Sequence, residues 1–200
     1  MFLLEVLDAM KLDRGQAIAW LQENVSARRL EHILGVEAMA QTLAQRYGVE
    51  PEKAAQAGLL HDLAKFFPPP RLLQIAARYG LEVDEICRQV PHLLHAEISA
   101  IVAQEEFEVR DEEILRAIAN HTLGQPEMDK LSCIVFVADA LEPGRGDKKK
   151  LQKLRALSEK NLHKTVAGVC DYMIKYLIKH HKIIHPRMIL TRNWALETKD

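Results

Sequence analysis

The chain has 200 residues, 48% hydrophobic and 28% charged, with a formal net charge of −1. That composition fits one globular domain with a well-buried core. It lacks the basic excess of a nucleic-acid binder, and no run approaches the ~18 apolar residues of a membrane span.

Nearly every segment repeats its apolar residues at helical spacing, and strand-like alternation is scarce, so an all-α fold is expected. The opening Met1-Phe2-Leu3-Leu4-Glu5 has no basic stretch and soon meets Asp8. No signal peptide is expected, and the location expected is cytoplasmic. Helices are predicted over 2–11 and 14–24, forming a short N-terminal helical extension, residues 1–25, to a main bundle, 26–200. The bundle then runs through 27–47, 51–66, 69–79, 82–89, 92–106, 111–121, 127–141, 147–158, 161–181 and 186–195. Its punctuation is legible: Gly48 follows a helix, Pro51 opens the next and Pro68-Pro69-Pro70 stops it. Asp111 is an N-cap before Ile114, and Pro143-Gly144 ends the helix of 127–141. Cys87, Cys133 and Cys170 each lie in an apolar helical context and read as small buried hydrophobes in a reducing compartment.

Residues that carry chemistry stand out against this background. Asp139 is the only charged side chain in Ile134-Val135-Phe136-Val137-Ala138-Asp139-Ala140-Leu141. The run is apolar around the whole helix, so the carboxylate is expected to be buried. That is costly unless it is paired with an arginine or bound to a cation. Upstream, His61-Asp62 closes an Ala- and Leu-rich helix. His32 falls on the stripe His32, Val36, Met39, Leu43 and so faces the core. His95 shares a face with Ile98 and Val102, and His121 follows Ile114 and Ile118. Single inward histidines are ordinary core residues. Several converging with two carboxylates suit a divalent ion such as iron, manganese, zinc or nickel, among which spacing alone does not choose. Lys65, three residues after Asp62, can set its ammonium beside such a site, where it suits an anionic substrate, phosphate above all. Arg145 follows Glu142-Pro143-Gly144 in the turn just after Asp139, well placed to grip a more distant phosphate. His185-Pro186-Arg187 offers a second basic loop, whereas Lys148-Lys149-Lys150 reads as a solvated run.

His32, His61-Asp62 with Lys65, and Asp139 together resemble the H…HD…D signature of the HD-domain metal-dependent phosphohydrolases. Finer motifs resemble the YqeK branch: Arg29-Leu30-Glu31-His32-Ile33-Leu34-Gly35-Val36, Ala57-Gly58-Leu59-Leu60-His61-Asp62-Leu63-Ala64-Lys65, Leu94-His95, His121-Thr122, Ala138-Asp139-Ala140-Leu141-Glu142-Pro143-Gly144-Arg145 and Ile184-His185-Pro186. Leu141 stands where the branch has isoleucine. The likeness spans roughly residues 26–195 and says nothing of the first 25.

The resemblance implies symmetrical hydrolysis of diadenosine tetraphosphate to two ADP by metal-activated water, with iron as the metal and manganese or another transition metal as alternatives. It implies His32, His61, Asp62 and Asp139 as metal ligands. His95 and His121 match positions that contact phosphates or hold a second metal in related enzymes. With Asp62 and Lys65 they form the expected catalytic set. Asp62, Leu63, Ala64, Lys65, His95, His121, Thr122, Asp139, Arg145 and the loop Lys182, Ile183, Ile184, His185, Pro186, Arg187 are the expected substrate contacts. The expected partner is a small-molecule nucleotide, with no nucleic acid and no membrane; a homodimer is left open. The alternatives are an HD phosphohydrolase acting on another nucleotide and a nucleotide-sensing module without turnover.

Overall fold

The structure, a computed structural model, describes residues 13–198; the helix predicted over 2–11 lies outside them. Among the described residues all regular structure is helical. In chain order these are α1 (Arg14–Asn24), α2 (Ala27–Tyr47), α3 (Pro51–Leu60), α4 (Pro69–Arg78), α5 (Glu85–Gln89), α6 (His95–Glu106), α7 (Glu112–Asn120), α8 (Lys130–Leu141), α9 (Lys149–Ser158), α10 (Leu162–Lys179) and α11 (Pro186–Glu197). Single 3₁₀ turns at Pro91–Leu94 and Pro143–Arg145 lead into α6 and out of α8. None of these helices is long and apolar enough to cross a membrane.

Within the described residues the predicted helices are present, several shortened by a turn or less. Side-chain caps set many starts: Ser26 accepts from Arg29 N, Asp111 from Glu113 N and Ile114 N, and Asp129 from Ser132 N. Each satisfies an amide that the helix itself leaves unpaired. The larger departure is at the helix predicted over 51–66, which stops at Leu60. Beyond it the backbone tightens into successive three-residue bonds, Leu63 N to Leu60 O, Lys65 N to Asp62 O and Phe67 N to Ala64 O. Ala64 N instead finds the Ser99 hydroxyl of α6, 3.0 Å away. Burial of the following Leu63 and Ala64 fixes this turn against the core.

The hub of the bundle is α8, which packs against α2, α3, α7, α9 and α10. Its residues from Leu131 to Ala138 are all buried, as the apolar run predicts. Along its length α2 lies on α3, and one glycine permits the close approach. A Cβ on Gly58 would stand 3.0 Å from Glu37 Cα and 3.1 Å from its nitrogen, tighter than ordinary packing. That contact sets α3 against α2, and His61 follows directly where α3 ends. The first helix, α1, joins the same core through fully buried Ala17 and Leu21, and Arg14 pairs with Glu37 at 2.6 Å. All three cysteines are buried and unbridged.

Candidate metal centre

Four imidazoles from four parts of the chain meet here, and each is fixed in the same tautomer. His61 Nδ1 lies 2.7 Å from Gly58 O, His121 Nδ1 2.7 Å from Ile118 O, and His95 Nδ1 against His92 O. Each partner carbonyl is three residues upstream and can only accept, so Nδ1 carries the hydrogen and donates it. His32 achieves the same over a long range, donating Nδ1–H to Glu142 Oε1 at 2.9 Å. Every Nε2 is therefore left with a lone pair, and all four point toward two carboxylates.

Asp62 stands between them. On one side His61 Nε2 is 3.3 Å and His32 Nε2 4.0 Å from its Oδ2. His32 Nε2 is also 3.0 Å, and His61 Nε2 3.7 Å, from Asp139 Oδ1. On the other side, His95 and His121 place Nε2 at 3.4 and 3.6 Å from Asp62 Oδ1, and 3.1 Å from each other. Lone-pair nitrogens facing carboxylate oxygens make no hydrogen bond. Accordingly His61 Nε2 and Asp62 Oδ1 are buried without a partner. Buried polar atoms are rarely left so, and a cation among them supplies what they lack. The donor set, the shared orientation and these two orphaned atoms fit a divalent metal. His32, His61 and Asp139 form one group with ligand atoms within 4.8 Å of one another, and His61, Asp62 and His121 a second. The anchored Nδ1 atoms are the outer support such ligands require.

Burial works against a charged Asp62, but without a metal a proton taken up at Nε2 opposes it: charge on His61 and hydrogen bonds then donated by His121, His61 and His95 hold the carboxyl well below its ordinary range. Asp139 is likewise held low, with burial overcome by His32, Arg145 and His61. Burial and the neighbouring His61 and His95 push His121 down to about 4, whereas Asp62 and Asp139 keep His61 raised despite its burial.

The structure brings Lys65, Thr122 and Arg145 to the same place. Lys65 Nζ is 3.0 Å and Thr122 Oγ1 3.1 Å from His95 Nε2. Asp139 is less enclosed than its apolar run suggests: its side chain keeps 21% exposure, and Arg145 bonds both its carboxylate and, at 2.7 Å, its carbonyl oxygen. The 3₁₀ turn after α8 folds Arg145 back over the helix end, and the same guanidinium reaches His32 Nε2 at 3.2 Å. Leu63 and Ala64 bury their side chains, so only their backbone could face a ligand. The loop 182–187 makes its own contacts. Lys182 lies over the Tyr176 ring, His185 Nε2 bonds Asp84 at 2.6 Å, and Arg187 pairs with Glu97 at 2.8 Å. Ile183 is exposed, Ile184 half-buried, and Pro186 opens α11.

Two residues given no role in the sequence reading belong to the site. Arg29 donates to Asp62 Oδ2 at 2.8 Å, one turn of α2 before His32. Glu142 is 2% exposed and supports His32. Gly35 makes room for it, since a Cβ there would fall 2.6 Å from Glu142 Oε2. The i−3 spacing of Arg29 from His32 is a usable signal; Glu142 stands in a family-like motif after Asp139, but nothing there points to His32 as its partner.

Comparison with known proteins places this arrangement among relatives. The HD domain family profile matches residues 29–144. A Bacillus subtilis protein named bis(5'-nucleosyl)-tetraphosphatase, symmetrical, is 34% identical, covering 92% of this chain and 98% of its own length. A Halalkalibacterium halodurans protein of the same name is 32% identical over the same shares. A crystal structure from Clostridium acetobutylicum, described as a predicted HD superfamily hydrolase involved in NAD metabolism, superposes with a TM-score of 0.88. It is 33% identical and covers 92% of this chain and 97% of that one.

Proposed function

The chain belongs to the HD domain family, and from that premise we propose that it is a metal-dependent hydrolase of phosphoanhydride bonds. It splits diadenosine tetraphosphate symmetrically into two ADP. The observation that carries the chemistry is the convergence of four Nε2 atoms on Asp62 and Asp139, with Lys65 and Arg145 at its edge. The substrate is supported by the names of relatives that align along nearly the whole chain.

His32, His61, Asp62 and Asp139 would hold the ion, proposed as iron with manganese as the alternative; the mixed imidazole and carboxylate set suits either. When bound, the cation lowers the pKa of a water molecule and polarises the attacked phosphoryl group. His95 and His121 would contact the phosphates or, with Asp62 Oδ1, hold a second ion. The ammonium of Lys65 would offset charge growing on the phosphoryl oxygens. Arg145, held at Nε and Nη2 by Asp139 and His32, would use its remaining Nη1 donors to align the phosphate chain. Asp62, between the two His pairs, fixes their separation. Thr122 adds a hydroxyl beside His95, and the 182–187 loop is proposed to reach the ADP moiety.

The direct test loads the protein with iron or manganese, supplies diadenosine tetraphosphate and separates the products. ADP alone supports the proposal; ATP with AMP refutes symmetrical cleavage. Metal analysis of protein purified without added metal identifies the ion. His61→Ala and Asp139→Ala should each lose metal and turnover together. A proposed cytoplasmic location and homodimer are checked by fractionation and by sedimentation.

A further inference from the structure

Two cavities meet at the metal centre, and Arg145 lines both. The one on the His121 side, about 260 Å³, runs from His121, Thr122 and Asp139 into an apolar wall that includes Phe136, Tyr172 and Tyr176. The one on the His32 side, about 710 Å³, runs past Arg29 to Phe66 and the turn at Pro143. Phe66 lines this cavity with 51% of its surface exposed, while Phe67 beside it is 8% exposed and buried in the core. The Arg29 guanidinium lies 5.8 Å from the Phe66 ring centroid, and the same side chain bonds Asp62. A half-exposed aromatic ring beside an arginine, on the wall of a cavity that reaches the metal ligands, has the chemistry to stack a flat base.

Resting on the reaction proposed above, we propose that one dinucleoside polyphosphate occupies both cavities. One nucleoside sits in the Tyr172 and Tyr176 cavity, the phosphate chain passes Arg145 and Arg29, and the second base stacks on Phe66. Each end then has its own apolar contact, and the middle of the chain lies at the metal ligands. The same arrangement leaves one ADP in each cavity after cleavage.

The test compares diadenosine tetraphosphate with adenosine 5'-tetraphosphate, which has the same phosphates but one nucleoside, using full-length manganese-loaded protein. A base–aromatic stack is worth a factor of about ten or more. Phe66→Ala should therefore lower the ratio of kcat/KM values, two-nucleoside over one-nucleoside substrate, about tenfold, and Phe66→Trp should restore it. An unchanged ratio in Phe66→Ala overturns the proposal. Failure of the underlying reaction is distinguishable, because the wild type then turns over neither compound. ADP binding measured by calorimetry decides in that case. Two ADP per wild-type chain and one per Phe66→Ala chain support the two-cavity arrangement; one in both overturns it.

Discussion

Glu142 Oε1 accepts the Nδ1 hydrogen of His32 at 2.9 Å across 110 residues of sequence, and Gly144 N occupies the other oxygen. The contact turns the His32 ring so that Nε2 faces Asp139. Loss of such support for a metal-ligating histidine typically costs 10–100-fold in affinity. Glu142→Gln, which cannot accept on both atoms, should therefore retain metal about tenfold less tightly than the wild type. Metal content after dialysis against a graded chelator measures this; equal retention would sink the assigned role.

Gly58→Ala should couple a packing defect to the metal centre. The added Cβ meets the α2 backbone at 3.0–3.2 Å, and backbone cannot rotate away. Overpacking of this kind costs about 1–3 kcal/mol. Because Gly58 O anchors His61, metal content should fall with stability. Urea unfolding and metal analysis on the same preparation check both; a stability loss with full metal loading would show that the anchor tolerates the shift.

Leu21→Ala tests whether α1 belongs to the cooperative core. Leu21 is fully buried, and a buried leucine truncated to alanine costs about 2–5 kcal/mol. A denaturation midpoint close to that of the wild type would mean that α1 detaches without cost, as an appended extension could.

Asp111 gives a pH prediction remote from the metal ligands. Burial would raise its carboxyl, but Lys53 and the Ile114 and Glu113 amides lower it below 3.8. A carboxyl depressed in the folded state stabilises above its unfolded pKa, and that contribution disappears as pH falls through the folded pKa. Asp111→Asn keeps the cap and loses the charge opposite Lys53. The variant should be less stable at neutral pH by a fraction of a kcal/mol, as part-exposed pairs are. The deficit should close in acid below the folded value. Paired urea titrations across that range measure it; a deficit that persists there would assign the effect to cap geometry.

Much of this was readable in the chain. Helical spacing through Val36, Leu43, Ile98, Ile114 and Ile118 set the fold class, because one apolar face per helix can be satisfied only by packing against others. The apolar run around Asp139 marked a carboxylate in need of a partner, and the motif likeness supplied His32, His61 and Asp62. Residues pairing at long range were not readable. Arg29 meets Asp62 across 33 residues and Glu142 meets His32 across 110; spacing puts Arg29 on the His32 face of its helix, but nothing local names the partner of either.

The sequence by itself determined which side chains turn inward, since burial of apolar neighbours at helical spacing is a local property of each segment. Only the tertiary structure decided what those side chains meet. Contact at Gly58 brought α3 onto α2, the tightened turn after Leu60 set Asp62 between two histidine pairs, and the turn after α8 returned Arg145 to Asp139. Each depends on helix ends approaching within a few ångströms, which close packing of the whole bundle fixes and no single segment specifies.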